Sequence, residues 1–138
     1  MTRQPLLLDT NVCIWMLDGE LPQNCNDALT EAFNAGLLTF ISPITALEVA
    51  TLTRKLRFKS HLSPQRWFEN VIQLPGMALA KMTPEVLIES QLLPGYIHED
   101  PAGRIIAATA RQYGYTVMTS DRALLDYGDE GYLSVLQC

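Results

Sequence analysis

Leu6-Leu7-Leu8 is an unbroken apolar run that stops at Asp9. It is too short for a membrane span or a signal core and too apolar for an edge strand, so it predicts the first, buried strand of a parallel sheet. Asn24 to Ala35 predicts a helix stopped by Gly36, and Leu37 to Ile41 a second buried strand. Four pairs, Ser42-Pro43, Ser63-Pro64, Thr83-Pro84 and Asp100-Pro101, each put a capping side chain before a proline at the first helical position. The helices they predict run from Pro43 to near Leu56, from Pro64 to Leu74, from Pro84 to before Pro94-Gly95, and from Pro101 to Tyr113, closed by Gly114. Tyr115 to Met118 predicts a strand entering Thr119-Ser120-Asp121; a short helical stretch and a last strand, Tyr132 to Val135, follow. Strands alternating with helices in this order predict an α/β fold: a three-layer α/β/α sandwich with a mainly parallel central sheet. Residues 1–138 read as a single domain without repeat, linker or low-complexity segment.

Composition narrows the class of molecule. Hydrophobic residues make up 48% and charged ones 18%, which suits a compact core and argues against disorder. One Arg followed by three leucines does not make a secretory signal, and no apolar run approaches membrane length, so the cytoplasm is the expected location, with no membrane. Cys13, Cys25 and Cys138 are odd in number and lack metal-ligand spacing, so neither a disulfide framework nor a zinc site is expected. The formal charge of −5 disfavours tight non-specific nucleic-acid binding by net charge.

Three carboxylates fall where a parallel sheet would gather them. Asp9 and Asp121 each follow a strand, and Glu48 sits two turns into the helix after the second one. Alone, Asp9 reads equally well as the N-cap of the Val12 to Leu17 segment. If the strands are parallel, all three meet at one edge, where their repulsion is tolerable only with shared protons or a cation. An all-oxygen set without His or Cys favours Mg²⁺ or Mn²⁺, whose usual work is holding a phosphate and activating water against it.

Leu6-Leu7-Leu8-Asp9-Thr10-Asn11, Ser42-Pro43-Ile44-Thr45-Ala46-Leu47-Glu48, His98 to Ala110 and Thr119-Ser120-Asp121, in this order over nearly the whole chain, resemble the PIN-domain family, and within it the VapC-like toxins of bacterial toxin–antitoxin pairs. The resemblance implies an α/β sandwich, an acidic cluster binding Mg²⁺ or Mn²⁺, endoribonuclease activity on RNA, a neutralising antitoxin and a homodimer. By position it makes Asp9, Glu48 and Asp121 the catalytic, metal-binding residues and Asn11 and Thr119 their supports. The chain departs from the family's Asp-Pro-x-Asp-Arg pattern at Gly103, where the second aspartate would stand. Asp100 keeps the first aspartate, read as the N-cap before Pro101; about one helical turn (~5 Å) before position 103, it is also a candidate to reach a metal through water.

Arg54, Lys55, Arg57 and Lys59, with His61 and Arg66, concentrate positive charge in one stretch, either an RNA-backbone footprint or a solvated helix end. Trp67, Phe68, Val71 and Ile72 read as core or as a dimer and antitoxin surface, Trp15 as core, His98 as a loop hydrogen-bonder, and Asp126, Asp129 and Glu130 as solvated turn residues. The leading reading is a metal-dependent ribonuclease attenuated by Gly103. Its rival is a degenerate PIN domain that binds RNA or a protein without cutting. An aspartyl-phosphate phosphatase is the third, weakened because Asn11 stands where that chemistry needs a second aspartate.

Overall fold

The computed structural model describes residues 4–97 and 99–138. Its elements follow the apolar runs and caps closely: β1 (Leu6–Leu8), α1 (Thr10–Asp18), α2 (Gln23–Asn34), β2 (Thr39–Ile41), α3 (Ile44–Arg54), α4 (Pro64–Ile72), β3 (Met77–Leu79), α5 (Pro84–Glu89), α6 (Pro101–Tyr113), β4 (Thr116–Thr119), α7 (Arg122–Asp129) and β5 (Ser134–Gln137). Three of the Pro-initiated helices are capped as expected. Ser63 Oγ accepts from Arg66 N, Thr83 Oγ1 from Val86 N and Asp100 Oδ2 from Gly103 N. At the fourth, Ser42 Oγ accepts from Ile44 N and the regular helix begins one residue later, at Ile44.

The sheet has the order β3-β2-β1-β4-β5, and every pairing is parallel. The central strand alternates its side chains between two cores. Leu7 packs with Val117 and residues of α5, α6 and α7, whereas Leu6 and Leu8 pack with Met118 and residues of α1, α2 and α4. A continuous apolar run is therefore what a central strand covered on both faces requires. α7 lies very close to the sheet: a Cβ at Gly128 would come within 2.5 Å of Val135 Cγ2.

Two strands differ from the sequence expectation. β3 was not foreseen; only three residues long, it directly follows Pro75-Gly76 at the sheet's edge, where its half-exposed side chains carry no alternation. β5 begins two residues later than the apolar pattern suggests. Tyr132 stacks on Tyr127 at 5.0 Å between ring centroids and Leu133 is buried, so both serve the turn and core before pairing starts.

The cysteine expectation is corrected. Cys13 is buried in the core, and burial raises its thiol pKa, which keeps it protonated and inert. Cys25 and Cys138, however, form a disulfide with Cα atoms 6.1 Å apart. The parallel fold lays the start of α2 beside the end of β5, where Asn24 Nδ2 also donates to Gln137 O at 3.1 Å. A sequence separation of 113 residues hides that proximity. Among the described residues, no helix is long and apolar enough to cross a membrane.

Candidate active site

The chain leaves β1 for β2 and β3 on one side of the sheet, then returns to build β4 and β5 on the other. The winding reverses between β1 and β4, and a crevice opens there beyond the carboxyl ends of the strands. Asp9 leaves β1 into this crevice, and Asp121 stands two residues past the end of β4. Glu48 joins them from α3. All three line one pocket of about 870 Å³, together with Asn11, Asp100, Gly103 and Arg122.

Threonines hold the carboxylates. Asp9 Oδ1 accepts from its own helix at Thr10 N, 2.8 Å, so Asp9 caps α1 while lining the pocket. Asp9 Oδ2 accepts from the buried Thr119 Oγ1 at 2.7 Å, and the same hydroxyl accepts from Asp121 N at 2.9 Å. Thr119 thus ties the ends of β1 and β4 together. Thr10 Oγ1 donates to Glu48 Oε1 and lies 3.0 Å from Thr45 Oγ1. A hydroxyl has one proton, so Thr45 must donate to Thr10 and Thr10 to Glu48, a relay from α3 through α1 and back to α3. Asp121 Oδ1 in turn caps α7 by accepting from Ala123 N at 3.2 Å.

These donors are neutral, and burial outweighs them. Desolvation pushes the Asp9 carboxyl above its ordinary value, opposed by the Thr119 and Thr10 bonds and reinforced by the charges of Asp121 and Asp100. Glu48 is raised for the same reason, with Asp9, Asp100 and Asp121 as its negative neighbours. The four carboxylates therefore share one field. Their oxygens suit a hard divalent cation, and each carboxylate bound by threonine keeps lone pairs to offer. The donor type fits such an ion, but the spacing is wide: among the described residues, no three of these side chains converge closely enough to hold a metal as they stand.

Gly103 lies in this gap. A Cβ there would sit 3.4 Å from Asp100 Oδ2 and 3.9 Å from Asp121 Oδ2, ordinary packing distances, so a side chain at 103 would enter the space between them. The motif's arginine, Arg104, turns the other way, donating from Nε to Ser90 O at 2.8 Å and from Nη1 to Ile97 O at 3.2 Å.

The family model for the PIN domain matches residues 6–130. The chain belongs to the PIN-domain family. The PIN domain described here is 28% identical over 119 residues to Ribonuclease VapC22 of Mycobacterium tuberculosis, covering 86% of this chain and 88% of that protein. Its fold is similar to that in the crystal structure of VapBC2 from Rickettsia felis bound to a DNA fragment from their promoter, with a TM-score of 0.70 at 15% identity over 97% of this chain and 98% of that one. The DNA-bound VapBC of Salmonella typhimurium matches with a TM-score of 0.65 at 19% identity, over 98% of each chain.

The other sequence candidates are dispersed. Asn11 lines the pocket but is exposed, and the bonds that fix the carboxylates come from Thr10 and Thr119, with Thr45 behind Thr10. Arg54, Lys55, Arg57 and Lys59 are exposed at the end of α3 and beyond it, off the pocket wall. Among the described residues, the cation on the wall is Arg122, whose Nε bonds Asp126 Oδ1 at 3.2 Å. Sequence reading passed over it, although its place directly after Asp121 was signal enough. Trp67 and Val71 are core, and Trp15 is half-buried against the same cluster. His98 lies outside the described residues.

Proposed function

We propose that this PIN domain is an endoribonuclease dependent on Mg²⁺ or Mn²⁺ and the toxin of a cytoplasmic toxin–antitoxin pair. The observation that carries the reading is the set of carboxylates brought to the switch point of the sheet, buried enough to raise two of their pKa values and oriented by uncharged hydroxyls. The likeness to Ribonuclease VapC22 supports RNA as the substrate. Asp9, Glu48 and Asp121 would hold the ion. Once drawn in by these side chains, such an ion would supply positive charge opposite a phosphate and lower the pKa of a water for attack on the phosphodiester.

The remaining work falls to the chain. Thr119 and the Thr45 to Thr10 relay keep Asp9 and Glu48 in fixed orientations, so little reorganisation is needed when substrate arrives. Arg122 is placed to donate to a phosphate in the pocket. The exposed Leu47, on the pocket rim, is an apolar contact for an antitoxin, a partner supported by the VapBC assemblies of similar fold. A homodimer belongs to the same reading.

Incubating a mixed RNA pool with the protein, with and without Mn²⁺ and beside an Asp9→Asn variant, tests the proposal. Cleavage that needs both the ion and Asp9 is the expected result. Cleavage that survives Asp9→Asn overturns it. Gly103 favours a second reading, a PIN domain that binds RNA or a protein without cutting; RNA binding with no cleavage under any divalent ion is its signature.

A further inference from the structure

The carboxylate pocket does not end at Asp121. A second cavity, of about 810 Å³, opens beyond Asp100, Asp121 and Arg122, which line both. Its remaining walls are Tyr96 and Ile97, from the segment between α5 and α6, and Ala123, Asp126 and Glu130 at α7. The two cavities make one trough that runs from α3, across the carboxylates, to α7. A chain cut at the carboxylates would need such a trough for its flanking nucleotide.

Tyr96 is 79% exposed, yet the backbone that carries it is fastened. Ile97 beside it is buried, its carbonyl takes the Arg104 guanidinium, and Pro94 O accepts from Tyr127 Oη at 2.6 Å. An aromatic side chain held out to solvent on a fixed backbone loses little freedom when something stacks on it.

The charges of the cavity select the occupant. Asp100, Asp121, Asp126 and Glu130 face one guanidinium, Arg122, already bonded to Asp126. A phosphate would be repelled by this wall. A nucleobase is neutral: its face can stack on tyrosine while its N–H edge donates to a carboxylate. Guanine presents two adjacent donors, N1–H and the 2-amino group, which match the two oxygens of one carboxylate. Asp126 is taken by Arg122, and Asp100 and Asp121 each spend an oxygen capping a helix, at Gly103 N and Ala123 N, so the carboxylate with both oxygens to offer a two-donor edge is Glu130, one turn beyond Asp126.

We propose that this cavity is a nucleobase subsite beside the cleavage point, with Tyr96 as the stacking surface and Glu130 as the group that selects guanine. The proposal rests on the RNA-cleaving reading given above. Its test is binding of labelled five-residue oligouridines carrying a central guanosine or inosine, measured in EDTA so that cutting plays no part. Inosine keeps N1–H and lacks the 2-amino group.

The guanosine oligonucleotide should bind about tenfold more tightly than the inosine one, and Glu130→Gln should bring the two level. Tyr96→Ala should weaken both about tenfold, equivalent to about 1.4 kcal/mol, while Tyr96→Trp restores binding. Leu92→Ala, an exposed apolar residue outside the trough, is the control and should change nothing. The subsite is overturned if the unaltered chain binds neither oligonucleotide, if Tyr96→Ala has no effect, or if Leu92→Ala has the same effect. Tyr96-dependent binding without cleavage in any divalent ion would instead sink the nuclease reading and leave the subsite standing. Cleavage indifferent to Tyr96 and Glu130 would do the reverse.

Discussion

Gly103→Asp places a fifth negative group in the cluster, between Asp100 and Asp121, and its effect on stability should change sign with divalent metal. A Cβ at 103 meets nothing closer than 3.4 Å, so the side chain enters without steric strain. Removing a glycine from the first turn of α6 contributes a few tenths of a kcal/mol, because Asp is itself a modest helix former, and the helix dipole adds about 0.3–1 kcal/mol. Against this stand two carboxylates. At about 5 Å each unit charge opposes the new one by ~1 kcal/mol in bulk water and ~3 kcal/mol at an effective dielectric constant of 20. Asp100 is exposed and Asp121 half-buried, so the lower part of that range applies. Without metal the variant should be about 1–2 kcal/mol less stable, a drop in Tm of roughly 4–8 °C for a chain of this size. Gly103→Asn has nearly the same shape without the charge and should show no such drop. With Mn²⁺ the order should invert, since the added carboxylate completes an oxygen ligand set and binding at a hundredfold excess over Kd contributes about 2.7 kcal/mol. The assay is thermal unfolding of the three proteins in EDTA and in Mn²⁺, alongside RNA cleavage, which Gly103→Asp should increase. If Gly103→Asp and Gly103→Asn melt together in EDTA, the site carboxylates do not share a field. If Mn²⁺ raises all three equally, position 103 does not face the ion.

Further outcomes follow from the same geometry. Asp9→Asn in EDTA at neutral pH should raise stability by about 1 kcal/mol, because burial disfavours the charged carboxylate. The sign is that of a raised folded-state pKa: Asp9's contribution is present below its unfolded pKa and lost as pH rises through the folded one, so the gain should shrink as the pH falls toward 4. A variant less stable than the parent at pH 7 would refute this. Replacing Arg54 and Lys55 with Ala should leave folding intact and, if they touch phosphates, flatten the salt dependence of RNA binding by about one unit of slope for each phosphate no longer neutralised; an unchanged slope assigns them to solvent. Cys138→Ser should lower stability by about 2–4 kcal/mol, since the bridge closes a very long loop, and a melting temperature indifferent to that change or to reductant would rule out the Cys25–Cys138 bond in solution.

Features fixed by local chemistry were the legible ones. Leu6-Leu7-Leu8 is apolar on every residue because β1 is covered on both faces, and Ser63, Thr83 and Asp100 cap helices with bonds that span only three residues. Asp9 and Asp121 could be placed at one edge as soon as the strands were read as parallel. β3 could not be read, because three edge residues carry no period. Thr10 and Thr45 were invisible for another reason: a threonine beside a motif looks like helix filler until the fold sets hydroxyls 35 residues apart at 3.0 Å. The Cys25–Cys138 pairing was hidden in the same way, by a proximity that exists only after the sheet closes.

The choice of threonine over a cation at Asp9 and Glu48 has a consequence for what the crevice can hold. An arginine or lysine in the place of Thr119 or Thr10 would lower the carboxyl pKa values, neutralise the cluster and leave nothing for an ion to do. The buried hydroxyls fix direction while adding no positive charge, and desolvation still prevails over them at both residues. Arg122 does not alter this, because it sits with its side chain largely in solvent and bonded to Asp126. The site is thus oriented but uncompensated, and either protons or a cation can supply the missing charge. Protons and a cation then compete for the same oxygens, and the proposed function assigns the cluster to the cation. On that reading an Asp at position 103 would add repulsion beside Asp100 and Asp121 without metal and a further oxygen ligand with it, and the sign inversion expected for Gly103→Asp is the direct measure of that trade.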